Sequence, residues 1–267
     1  MPAFSPNSFP EGTIQILPVG GIPEIRPGDN LGAIVGDAIA ASIGSLQEGD
    51  IVTVTQKVVS KAEGKLIDLR TIEPSVLASQ IASDWGKDAR QVEVVLRESV
   101  RIVRMVRGLI IAQTKHGFIC ANAGVDASNV APDIVCLLPD DADASAEGIR
   151  EALSARFFPG EAKESSPGVI VTDSFGRPWR SGIVNVAIGI AGMSPLADYR
   201  GQYDAAGYEL RATVIAVADE LASAAELVMH KLAAVPVAVI RGFDAQALGE
   251  PGTSCDLVMA EERNLFN

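Results

Sequence analysis

Aromatic side chains are scarce in this 267-residue chain, with Phe, Tyr and Trp together making up 5% of it. A core so poor in rings must pack aliphatic and alanine surfaces, which suits layered mixtures of helix and sheet. Cysteines number only three, and Cys120, Cys136 and Cys255 form no C-x-x-C pair. With His116 and His230 the only histidines, no familiar zinc spacing occurs, and free thiols in a reducing cytosol are the expectation. Apolar runs such as Ile183–Met193 are too short and too glycine-rich to span a bilayer. Residues 1–12 contain three prolines and no basic segment ahead of an apolar one, so no secretory leader is expected. A soluble, cytoplasmic protein is the resulting expectation.

Positive charge is also short. Lys and Arg total 22 against 34 Asp and Glu, a net charge of −12. Such a surface repels nucleic acid and anionic membranes, so neither is an expected partner. An anionic substrate would need cations or a local basic patch to reverse the field at its site. No G-x-x-x-x-G-K-[ST] pattern occurs, and no G-x-G-x-x-G follows a strand, so any nucleotide is held outside the P-loop and Rossmann designs. Neither a G-x-S-x-G elbow nor a placed Cys/His pair is present for covalent catalysis.

What is present is 48% hydrophobic residues, ample for a core. Strands are expected at Thr13–Val19, Ile51–Val59, Val100–Val106, Leu109–Thr114, Phe118–Ala121, Ile134–Leu138, Val169–Thr172, Ile183–Ile190 and Val235–Ile240. Helices are expected from Leu31 to Ile43 behind an Asn30 cap, from Pro74 to Trp85, and from Asp88. Two more are expected at Asp143–Phe158 and Ala212–Leu232. One domain over residues 1–267 is expected, with a subdomain joint near Glu161–Pro167.

Three segments carry chemistry. Gln56–Gly64 places Lys57, Ser60 and Lys61 after a strand, where charge and hydroxyl contacts could hold phosphates, although an ordinary exposed lysine pair reads the same way. Cys120–Val130 crowds Asn122, Asp126, Ser128 and Asn129 into one turn. These oxygens suit a hard cation such as magnesium or manganese, and equally suit Asx turns that satisfy their own backbone. In Val171–Arg180, Asp173 and Ser174 are expected to leave an apolar strand into a loop with Arg177 and Arg180. Two carboxylates from separate strand ends, Asp126 and Asp173, would repel unless a cation lay between them.

These segments also resemble, in order, the coenzyme F-420-0:L-glutamate (γ-glutamyl) ligase family. The match runs through Leu17–Ile25, Val59–Gly64, the NAGVDASN core at Asn122–Asn129, Val171–Arg177, Gly207–Leu210 and Ala218–Ala222. The resemblance implies an unusual α+β fold of mixed sheets with flanking helices, forming an intertwined homodimer. It implies a GTP-dependent ligase joining L-glutamate to F-420-0 through an acyl phosphate, in coenzyme F-420 biosynthesis. Asp126, Asp173 and Ser174 take the place of metal ligands for Mn2+ or Mg2+, with K+ a further candidate. Ile22, Pro23, Glu24, Ile25, Gln56, Lys61 and Asn129 take the place of nucleotide contacts. Met229–Leu232 stands where some members supply an acidic metal ligand, so none is expected from it. The C-terminal flavin domain of some bacterial members is not expected either. The same chemistry on another carboxylate acceptor, or a non-catalytic nucleotide- or metal-binding module, are the alternatives.

Overall fold

The computed structural model describes residues 12–160, 165–245 and 248–264. The expected joint at 161–167 falls partly on residues 161–164, outside the described residues.

A five-stranded mixed sheet forms the centre. Its strands are β1 (Gln15–Val19), β2 (Ile51–Thr55), β8 (Gly168–Arg177), β9 (Arg180–Ala191) and β12 (Val237–Arg241), in the order β1-β12-β2-β8-β9. Only β2 and β8 run parallel. β2 and the first half of β8, Gly168–Thr172, are buried and dominated by apolar and β-branched residues because both of their faces are covered. Helices α1 (Leu31–Ile43) and α5 (Ala142–Phe157) cover one face, packing Val35, Ile39, Ile149 and Leu153 on Val52, Val169 and Ile188. Helix α6 (Val217–Met229) covers the other, with Leu221, Ala225 and Met229 against Ile51, Ile170 and Ile240. Gly189 permits the first layer to close, because a Cβ there would lie 2.2 Å from the Ala142 carbonyl oxygen.

A second lobe is built from the chain between β2 and α5. Helices α3 (Val76–Trp85) and α4 (Ala89–Glu98) pack on a sheet of β4 (Ser99–Val106), β5 (Leu109–Thr114) and β6 (Ile119–Ala121). A short antiparallel pair, β3 (Leu66–Asp68) and β7 (Ile134–Cys136), ties this lobe to the main sheet's helix α2 (Gln56–Ala62). The arrangement is α+β, mixed sheets with flanking helices, as expected.

Three boundaries differ most from the sequence expectation. The strand expected over Ile51–Val59 stops at Thr55, and Gln56–Ala62 is helical. Two valines suggested extension, but Gln56, Val59 and Ser60 are buried at helical spacing, so tertiary packing overrides propensity. The loop expected after Thr172 is instead a continuation of β8 to Arg177, paired with β9 as a ribbon. The helix expected from Ala212 begins at Val217, because Val214–Ile215 forms β11 against β10 (Ala197–Asp198). The Asn30 cap is present, its side-chain oxygen accepting from the Ala33 amide at 3.1 Å.

Candidate functional site

The parallel pairing of β2 with β8 is what creates the site. Thr55, the last residue of β2, lies opposite Thr172 in β8, so Gln56–Lys57 at the start of α2 and Asp173–Ser174 in the continuing β8 are delivered to the same place. Helix α2 begins at that point. Its i, i+4 spacing sends Lys57 and Lys61 from one face. Gln56 is buried and acts as a strut, donating to the Ser60 hydroxyl at 2.6 Å and to the Leu137 carbonyl at 2.8 Å. Asp126 arrives from the second lobe by backbone bridging to Cys136, with amide-to-carbonyl distances of 3.0 and 2.8 Å. A β-bulge where Val171 and Thr172 face β9 re-aims the strand just before Asp173.

These elements enclose a cavity of about 430 Å3. Ile22, Pro23, Glu24, Ile25, Gln56, Lys61, Asn129, Asp126, Asp173 and Ser174, the positions singled out in the sequence, all line it. Lys61 is paired with Glu24 at 2.5 Å, and Lys57 with Asp126 at 2.5 Å. Asp126 also accepts from the Ser128 amide and hydroxyl, each at 2.7 Å. Arg177 and Arg180 are not among the lining residues; Arg177 turns back to the Ser181 carbonyl at 3.2 Å. The two arginines sit out on the β8–β9 ribbon, which continues past the site instead of folding over it.

The two carboxylates are held in different electrostatic states. Burial works to raise the pKa of Asp126, but the Lys57 ammonium and the Ser128 amide and hydroxyl outweigh it and hold the group below its usual range. Burial pushes Asp173 up to about 6. The Ser174 amide opposes this, Asp126 adds to it, and Lys57 and Lys231 subtract from it. Cys120 is pushed up to about 12 by burial and by the nearby Asp173, which makes it an inert thiol.

Comparison with known proteins shows the family. The profile of the F420-0:Gamma-glutamyl ligase family matches residues 21–242. The chain belongs to this family. The coenzyme F420:L-glutamate ligase of Methanopyrus kandleri is 42% identical over 257 residues, spanning 95% of this chain and 98% of that protein. Those of Methanothermobacter thermautotrophicus and Methanocaldococcus jannaschii are each 41% identical, covering 95% and 83% of this chain and 98% and 86% of their own lengths.

Beyond the residues expected of a γ-glutamyl ligase, the cavity holds polar residues that the sequence reading did not assign to it. Asn185 accepts from the Ser174 hydroxyl at 2.7 Å and donates to Glu226 at 3.1 Å, linking β8, β9 and α6. Lys231 follows α6 at the cavity wall, and the Thr172 hydroxyl in that wall is buried without a hydrogen-bond partner. Nothing local in the sequence marks Asn185 or Glu226. Asn185 sits in a β-strand pattern and Glu226 in a helix pattern, and only the sheet order brings them together.

Among the described residues, no three His, Cys, Asp or Glu side chains are grouped as a metal site on their own. A divalent ion would therefore take Asp126 and Asp173 and complete its shell with hydroxyl, amide, water or phosphate oxygens. Mg2+ and Mn2+ commonly bind in that manner. The donor set is all oxygen, and a buried carboxyl displaced to about 6 is a group that a nearby cation would return to its charged form, so the residues fit such an ion.

Proposed function

We propose that this chain is a GTP-dependent ligase that joins L-glutamate to the deazaflavin precursor F-420-0 in coenzyme F-420 biosynthesis. The observation that carries the reading is the convergence of Lys57 and Lys61 with Asp126 and Asp173 in one cavity. Cations for phosphate thus stand beside carboxylates for a divalent ion, in a protein whose overall charge is strongly negative. Family membership and the names of the relatives support it.

The chemistry follows from the poor leaving group of a carboxylate. An oxygen of the acceptor's terminal carboxylate attacks the γ-phosphorus of GTP, the bond to the β,γ-bridging oxygen breaks, and GDP leaves with that electron pair. The acyl phosphate then receives the amine of L-glutamate, an amide forms, and phosphate departs with its bonding electrons while the amine's proton passes to solvent. A divalent ion at Asp126 and Asp173, with Ser174 beside them, would supply charge neutralisation for the phosphates. Lys61 holds phosphate charge from α2, and Ile22–Ile25 with Asn129 form the wall against the nucleotide. No side chain serves as a covalent nucleophile; positioning and electrostatics supply the rate.

Two copies are proposed to associate. Strand β4 lies at the edge of its sheet and exposes Val100, Ile102, Val103, Met105 and Val106, with Leu109 beside them on β5. A long apolar edge of this kind is a template for strand pairing. GDP release that requires both the deazaflavin acceptor and L-glutamate tests the function. GTP turnover with the acceptor omitted, or with a different acid only, would reassign it.

A further inference from the structure

Lys57 has a place in this cavity that the family reading leaves unassigned. It lies in the first turn of α2, and its side chain is only 15% exposed. Its ammonium is fixed by two acceptors at once, Asp126 Oδ2 at 2.5 Å and the Ser128 carbonyl at 3.0 Å. Asp126 Oδ2 also accepts the Ser128 hydroxyl, while Oδ1 takes the Ser128 amide. Both oxygens of this carboxylate are therefore engaged by protein donors.

A divalent ion approaching Asp126 Oδ2 meets the ammonium at the same oxygen. The two lone pairs of Oδ2 are already taken by the Lys57 ammonium and the Ser128 hydroxyl, so an ion bound at this oxygen displaces one donor, and repulsion between like charges selects the ammonium. The Ser128 donors are neutral and local, and they can stay. Lys57 must go, and its four-carbon stem lets the head group swing within the cavity. The anionic phosphates of a nucleotide would be its natural new partner there, with Lys61 four residues along the same helical face.

Resting on the ligase reading above, we propose that Lys57 is exchanged between Asp126 and the transferring phosphoryl group. It balances Asp126 until a divalent ion takes that carboxylate, and then contacts the phosphate oxygens as a catalytic residue. It carries charge only, so no proton is consumed or released at Lys57 when the acceptor carboxylate displaces GDP from the γ-phosphorus. Metal and nucleotide binding are thereby coupled. The ion is disfavoured alone, because it evicts a paired lysine, and favoured when phosphate is present to receive that lysine.

The test uses the full chain and two uncharged variants, Lys57→Met and Lys57→Gln, with Lys57→Arg as the charge-retaining control. Free Mn2+ is titrated by electron paramagnetic resonance without and then with GTP. Removing the competing cation should tighten Mn2+ binding in the absence of nucleotide by about tenfold. The strengthening of Mn2+ binding by GTP should shrink in the same variants, and kcat should fall by roughly 10²-fold. Lys57→Arg should keep the weak Mn2+ binding of the parent. Weaker or unchanged Mn2+ binding in both uncharged variants, or full kcat in either, would overturn the proposal. The nucleotide-free Mn2+ titration needs no acceptor. If the ligase assignment fails, the parent shows no glutamylation while the Mn2+ result still reports on Lys57.

Discussion

Replacing Asp173 by Asn should make the metal-free protein more stable, and only at neutral and alkaline pH. Burial lifts this carboxyl from 3.8 to about 6 on folding. The native state thus holds the proton more tightly than the unfolded chain. The stability linked to that proton is complete below about pH 3.8 and is lost as the pH climbs through about 6. At about 1.4 kcal/mol per pH unit, the burial of the charged form costs about 3 kcal/mol at pH 8. Asparagine has nearly the same shape and never ionises. With an unfolding entropy of about 2.1 cal/mol/K per residue, relief of that cost raises Tm by about 5 °C. Calorimetry of both proteins across pH 4 to 8, with chelator present, measures this; the two should converge near pH 4. Adding Mn2+ should raise the parent's Tm and leave the variant's nearly unchanged, and the parent's Mn2+ affinity should weaken by about tenfold per pH unit below about 6. A variant less stable than its parent at pH 8, or a difference independent of pH, would refute the reasoning.

Other substitutions probe separate parts of the structure. Asp126→Asn should lower turnover by roughly 10²-fold or more, and should lower Tm while leaving the protein folded because Lys57 loses its charged partner, read by GDP release and calorimetry; unimpaired activity would remove Asp126 from the metal site. Gly189→Ala should destabilise by roughly 3 kcal/mol in urea unfolding, because its Cβ would collide with the Ala142 carbonyl oxygen at 2.2 Å. Asp50 is 1% exposed and receives Arg241 at 2.6 and 2.9 Å. Asp50→Ala should therefore cost about 3–5 kcal/mol in the same assay, since it leaves a largely buried guanidinium unpaired. Size-exclusion chromatography with light scattering should show a dimer that Val103→Lys on β4 weakens.

The sheet was legible where burial made the sequence simple. Ile51–Thr55 and Val169–Thr172 are apolar because both faces are covered, and that is how they read. Legibility failed where a residue's surroundings come from distant chain. Gln56–Ala62 carries valines that suit a strand, yet the packing of Gln56 and Ser60 under Leu137 makes it a helix. Beyond Thr172 the polar residues looked like a loop, although β9 pairs with them through Arg177. The site divides along the same line. The NAGVDASN turn and the Lys57/Lys61 pair were visible as candidates by local chemistry, and the family resemblance was what separated them from an Asx turn and an exposed lysine pair. Asn185 and Glu226 did not, because a strand asparagine and a helix glutamate acquire meaning only when β9 and α6 pack beside β8. Arg177 and Arg180 looked like anion binders by composition, and the length of the β8–β9 ribbon leaves them outside the cavity.

Mass spectrometry of the deazaflavin precursor, after incubation with the protein, GTP, L-glutamate and Mn2+, tests the central claim most directly. The account predicts product heavier by whole glutamyl residues, lost when either GTP or the metal is omitted and lost in the Asp126→Asn variant. An unmodified precursor in the presence of folded, GTP-binding protein would contradict it.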